Sequence, residues 1–143
     1  MDYRLLKTPG DGDIPGILAA YRHPSIARFI TIDEENYWPY VTETGNVWFY
    51  KIFDKNALCA TAHLELHGTT LHMDIAVFPE YQNRRVGTEI LNHIQTGKLG
   101  IPFDQIRVSV DENNTASISL FEKAGFVRVG QAEELLEYVY SRN

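Results

Sequence analysis

Two arginines and a glycine, Arg84, Arg85 and Gly87, stand where an apolar run hands over to a helical pattern. The run Ala76-Val77-Phe78 ends at Pro79, a polar turn follows through Gln82 and Asn83, and helical spacing begins at Val86. The first turn of a helix has backbone N–H groups without intrahelical partners and carries the positive end of the dipole. The chemistry suited to such a turn is anion binding, phosphate above all. The arginines add formal charge, and glycine lets a ligand come close to the backbone. On these residues alone a solvated strand-to-helix turn reads equally well. A second segment weighs against that reading: Asn114 to Phe126 has a capping residue, a helical face of Ser117, Leu120, Phe121 and Ala124, and a Gly125-Phe126 stop.

Together the two segments resemble the GNAT N-acetyltransferase superfamily. Its acyl-CoA loop runs Gln/Arg-x-x-Gly-x-Gly/Ala and is followed, after one strand, by Asn-x-x-Ala-x-x-Leu-Tyr-x-Lys-x-Gly-Phe. Here the loop reads Gln82-x-x-Arg85-x-Gly87, and the later helix starts at Asn114 with Ser117 and Phe121 in the Ala and Tyr slots. Order and spacing both match, over about the last half of the chain. The resemblance implies an α/β fold with a mixed sheet, in the order β-α-α-β-β-β-α-β-α-β-β, whose central strands splay apart. It also implies an acetyl-CoA-dependent N-acetyltransferase. The acetyl group would pass to a primary amine by direct attack in a ternary complex.

Carried over residue by residue, the resemblance puts main-chain contacts to the pantetheine arm at Ile75, Ala76 and Val77, one backbone N–H also polarising the thioester carbonyl. The pyrophosphate would lie on the stretch Asn83, Arg84, Arg85, Val86, Gly87 and Thr88, with Gln82 opening the loop. Arg85 replaces the family's first glycine: a slot that needs close backbone approach would make it weaken coenzyme binding, whereas as an ordinary helical residue, the favoured reading, its guanidinium would assist the phosphates. Asn114 would touch the coenzyme and also cap its helix. Phe121 stands where the family often has the tyrosine that protonates the departing thiolate. Phe cannot donate a proton, so that role passes to water or to Tyr138 or Tyr140. Some relatives place a glutamate base at the position of Ser109. Asp74 or Glu65, neighboured by His72 and His63, are the candidate bases here, since an amine must lose a proton to attack. The substrate side would be walled by roughly residues 21–40, with Asp33, Glu34, Glu35, Tyr37, Trp38 and Tyr40.

These residues need elements to hold them. A first strand over Tyr3 to Lys7 leads to a helix from Ile14 to Arg22 with Asp13 as N-cap, stopped at His23-Pro24. Thr31-Ile32-Asp33-Glu34 matches a capping box opening a helix to about Thr42, which Pro39 would kink or shorten. Val47 to Phe53, Ala57 to Leu66 and Thr70 to Phe78 read as an antiparallel meander. Val86, Ile90, Leu91 and Ile94 share a helical face, Ile106 to Val110 is a strand, and Phe126 to Val129 and Leu135 to Tyr140 are the last two.

At 143 residues and 44% hydrophobic, the chain suffices for a single domain, residues 1–143, with a sizeable core. The formal charge of −6 argues against nucleic-acid binding and suits a cationic substrate. No apolar run reaches membrane-spanning length, the start lacks a signal-peptide layout, and the lone Cys59 reads as a core residue, so a cytoplasmic address is expected. The histidines show no metal spacing, and no metal is expected. Expected partners are acetyl-CoA, a small-molecule or peptide amine, and a second copy in a homodimer. The rival from another class is a non-catalytic acyl-CoA-binding or sensing domain of the same fold; transfer of a longer acyl group, or to protein N-termini, is a third reading.

Overall fold

Turn chemistry sets the first hairpin. Lys55 and Asn56 take φ of 51° and 70°, the paired positive values of a two-residue turn whose twist matches its strands. They join β2 (Val47–Asp54) to β3 (Ala57–His67), and β1 (Asp2–Leu5) pairs antiparallel with β2. The remaining strands are β4 (Thr70–Val77), β5 (Gln105–Asp111), β6 (Val127–Ala132) and β7 (Leu135–Ser141). The helices are α1 (Ile14–Tyr21), α2 (Pro24–Ala27), α3 (Glu34–Glu43), α4 (Val86–Gln95) and α5 (Thr115–Lys123), with a single 3-10 turn at Pro79–Tyr81. The computed structural model describes residues 1–142. Its seven strands form one mixed sheet in the order β1-β2-β3-β4-β5-β7-β6, as the mixed α/β expectation requires.

The described chain divides into two units: Met1–Glu65 with Asp74–Arg84, and Leu66–Met73 with the residues from Arg85 onward. The first unit buries Leu6, Ile17, Trp38, Val41 and Phe49, with Ala76 and Phe78 in the same cluster. Trp38 meets Phe49 edge-on at 5.3 Å between ring centroids. That packing explains why α3 survives Pro39, which sits inside it. An internal proline costs ~3 kcal/mol, while fully burying a large apolar side chain returns roughly 1.5–3 kcal/mol, so Trp38 and Val41 together offset it. Pro39 does not shorten the helix, and α3 continues to Glu43.

Two local expectations are corrected. Asp13 precedes α1 but makes no side-chain cap; its carboxylate and that of Asp11 grip Lys51 Nζ at 2.9 and 2.8 Å instead. An ion pair to a largely enclosed ammonium outcompetes a single cap bond. The N-cap of α3 is Asp33, accepting from the Glu35 N–H, and not Thr31. The stop expected at His23-Pro24 holds, with α1 ending at Tyr21; Pro24 then opens the four-residue α2, with His23 Nδ1 accepting from the Ser25 N–H.

In the second unit Val86, Ile90, Leu91 and Ile94 are buried, as their spacing predicts. β7 pairs antiparallel with both β5 and β6. The parallel β4–β5 ladder runs over Thr70↔Gln105, Leu71↔Ile106 and His72↔Arg107 among the described residues, although both strands continue beyond it. Among the described residues, no helix is long and apolar enough to cross a membrane.

Candidate active site

β3 alternates, and its two faces differ in chemistry. Ala60, Ala62 and Leu64 are buried apolar, while Thr61, His63 and Glu65 form a polar row with the two-residue period of a strand. Three tyrosines stand over that row in order. The Tyr21 hydroxyl bonds Thr61 Oγ1, the Tyr37 hydroxyl bonds His63 Nδ1, and the Tyr40 hydroxyl donates to Glu65 Oε1, each at 2.6 Å. Tyr37 and Tyr40 reach neighbouring row positions because they lie three residues apart on α3. Edge-on contacts to Trp38 and Phe49 hold the Tyr37 ring.

His63 Nε2 lies 3.2 Å from Glu65 Oε2. If the neutral imidazole donates there, its Nδ1 is left to accept from the Tyr37 hydroxyl. Tyr37, His63, Glu65 and Tyr40 thus form one continuous chain of hydrogen bonds. Burial pushes the Tyr21 and Tyr37 phenols above their ordinary pKa, the Asp74 charge adding to this in both, so both stay protonated donors.

Asp74 completes the group. A cavity of about 110 Å³ is lined by Asp74, Tyr21, Tyr37, His63 and Ala76, with Ile30 to Ile32 on its remaining side. Asp74 keeps more than a third of its surface open, yet the protein packed around the cavity raises its carboxyl pKa through burial, against a smaller pull from His63. The two observations agree if one face of the carboxyl opens to the cavity. Asp74 therefore joins His63 and Tyr37 at one place, and Glu65 lies one hydrogen bond behind. His72 does not join them; it meets His67 edge-on at 5.4 Å.

The acidic residues expected on the substrate wall are used elsewhere. Asp33 caps α3, Glu34 pairs with Arg22 at 3.4 Å, and Glu35 is exposed at the start of α3. Trp38 belongs to the core, and its indole N–H is without a hydrogen bond among the described residues. Tyr21 and Thr61 were not singled out by sequence reasoning. The signal that could have found Thr61 is the polar period within an otherwise apolar strand.

The expected coenzyme residues fall in two stretches. At the end of β4, Ala76 is buried and Ile75 and Val77 are half-buried. Gln82 does not reach outward: its Nε2 donates to the Val77 carbonyl at 3.0 Å and to Ser25 Oγ at 3.1 Å. Asn83, Arg84 and Arg85 are exposed, and the Arg84 guanidinium lies 5.8 Å from the Tyr81 ring centroid.

In the second unit, Arg85 is the N-cap of α4 at φ 64°, ψ 16°, with no side-chain cap. It is thus not the ordinary helical residue expected. The slot is left-handed, which explains a glycine there as a backbone requirement and leaves arginine with about 1–2 kcal/mol of strain. Val86, Gly87 and Thr88 follow as the first turn, whose N–H groups no N-cap side chain occupies. That geometry fits a phosphate group. At α5 the Asn114 side chain accepts from the Ser117 N–H at 3.2 Å, closing its own helix.

Phe121 is buried and serves the end of α5. The Phe126 N–H bonds the Phe121 carbonyl, the Gly125 N–H bonds Glu122, and Gly125 has φ 92°. The two phenylalanine rings meet at 5.1 Å, the apolar contact that accompanies this C-terminal motif. Tyr138 is committed too, donating to Glu122 at 2.7 Å. The Tyr140 ring packs on Phe126 at 5.5 Å. Ser109 Oγ donates to the Glu137 carboxylate at 2.9 Å.

Solved structures share this fold at low sequence identity. The chain aligns with an aminoglycoside acetyltransferase solved with coenzyme A at TM-score 0.81 and 17% identity, covering 98% of this chain and 94% of that one. A spermidine N-acetyltransferase from Vibrio cholerae aligns at 0.80 and 18%, covering 99% and 95%. An N-acetyltransferase of Campylobacter jejuni, solved with acetyl coenzyme A, aligns at 0.77 and 8%, covering 99% and 100%. No curated protein gives a significant match. Residues 41–128 match the acetyltransferase (GNAT) domain, so the loop, the mixed sheet and the later helix together make this chain a member of the GNAT acetyltransferase family.

Proposed function

We propose that the protein is an acetyl-CoA-dependent N-acetyltransferase acting on a primary amine. The observation that carries this reading is that the Asp74 cavity has Ala76 in its wall. Ala76 is one of the three residues expected to hold the pantetheine arm, so amine and thioester would meet at a single point of β4. Acetyl-CoA supplies the thioester carbonyl, where a C–N bond forms as the C–S bond breaks. The first turn of α4 and the Arg84 and Arg85 guanidiniums would bind its phosphates. Asp74 accepts the proton of the incoming ammonium, directly or through a water, and its raised pKa makes it a stronger base than an ordinary aspartate. His63, fixed by Tyr37 and Glu65, orients the cavity wall. A released thiol has an intrinsic pKa of about 8.5, so the leaving thiolate can take its proton from solvent without help from Phe121.

The test is coenzyme A release against a panel of amines. Asp74→Asn should lower the rate about a hundredfold near neutral pH, with recovery as pH rises and free amine becomes abundant. The same change should raise the melting temperature. With a folded pKa above the unfolded one, stability is full below the ordinary carboxylate range and falls as pH rises through the raised value. Asn removes that penalty. A slower enzyme that melts higher cannot be explained by a packing defect. Unchanged turnover in Asp74→Asn would remove Asp74 from the mechanism.

The second reading, an acyl-CoA sensor, is favoured by one observation: Phe121 is buried in a helix-ending contact and Tyr138 is tied to Glu122. Tight acetyl-CoA binding with no coenzyme release from any amine would select it.

A further inference from the structure

The cavity has a chemical bias that narrows the acceptor. Its wall contains one carboxylate, that of Asp74, and no lysine or arginine. The Tyr37 hydroxyl is engaged with His63, and the Tyr21 hydroxyl with Thr61. Ile30, Thr31, Ile32, His63, Ala76 and the two phenol rings supply the remaining surface. A cation on a methylene stem satisfies such a wall, the charge on the carboxylate and the stem along the apolar side. A carboxylate attached to the amine-bearing carbon would stand near Asp74 with no cation to meet it.

We infer that the acceptor is a cationic primary alkylamine carrying no carboxylate on its amine-bearing carbon, its aminoalkyl end seated against Asp74, Tyr21 and Tyr37. The inference rests on the acetyltransferase reading and names the substrate class of that site. Free amino acids are thereby excluded as acceptors.

Two matched pairs test it: agmatine against arginine, and butylamine against norvaline, each differing by a carboxylate beside the same amine. Coenzyme A release should favour the decarboxylated member by at least about tenfold in kcat/KM, since apposed like charges are strongly disfavoured. Arginine methyl ester removes the negative charge but keeps the carbonyl, and should recover most of the loss relative to agmatine. Asp74→Asn should shrink the agmatine-to-arginine ratio towards one. Ligand-observed NMR without acetyl-CoA gives a readout independent of turnover: agmatine should show saturation transfer, weakened by Asp74→Asn, and arginine none. Equal or better use of arginine, or absent binding of agmatine, overturns the inference. If acetyl-CoA itself produces no thermal shift, the acetyltransferase reading fails, while the NMR comparison still decides what the cavity accepts.

Discussion

α4 and α5 begin in opposite ways. At α5, Asn114 turns its side chain back to the Ser117 N–H and closes the helix upon itself. At α4, Arg85 occupies the same structural position in a left-handed conformation and offers no side-chain cap. A side-chain cap stabilises a helix by ~1 kcal/mol, and left-handed arginine costs about 1–2 kcal/mol, so α4 gives up stability twice where α5 gains it. The difference teaches where to look for a ligand. A helix start left open and strained persists when something outside the chain completes it.

The comparison is broken most severely at Gly87. Acetyl-CoA at a hundred times its dissociation constant should stabilise the protein by about 2.7 kcal/mol. Gly87→Glu puts bulk and negative charge in the open turn and should abolish that stabilisation, read as a melting shift present in the parent and absent in the variant. A retained shift would move the phosphates away from α4. At the closed helix, Asn114→Ala should cost ~1 kcal/mol of stability in a denaturant titration, with acetyl-CoA affinity changed by less than about threefold. A larger affinity loss would give Asn114 a coenzyme contact as well as its cap. The smallest effect belongs to Arg85→Gly, which relieves the left-handed strain and should raise stability by up to about 1 kcal/mol. Its affinity for acetyl-CoA should fall by no more than about fivefold, the worth of one exposed charge. A tenfold or greater loss would make the guanidinium a principal phosphate ligand.

What the sequence revealed follows the range of the interactions. The start of α4 was legible because proline, glycine and helical spacing act within a few residues. The end of α5 was legible for the same reason, since Gly125 and Phe126 complete a motif with Glu122 and Phe121. The left-handed state of Arg85 was not, because arginine is a poor signal for a conformation that glycine usually marks. The tyrosine row was also hidden. Tyr21 meets Thr61 and Tyr37 meets His63 across 40 and 26 residues, and those meetings depend on how α1 and α3 pack against β3. Asp74 and Glu65 could be named as polar interruptions, but only the packed strand separates the residue facing the cavity from the one behind His63. Asp13 misled for a related reason: its partner Lys51 lies 38 residues away, and a local cap was the nearer explanation.

Cys59 gives the molecule a built-in clock. It is the only cysteine, it has no exposed surface, and its thiol donates to the Ile52 carbonyl at 3.4 Å. Burial also raises its pKa, so little thiolate is present to react. A disulfide reagent can therefore label it only when the strands carrying it open, and the labelling rate in native buffer counts those openings. The same reagent detects released coenzyme A. In a folded sample the protein's own sulfur is silent on the time of a turnover, and a slow second phase in the trace measures the fraction of molecules that has come apart.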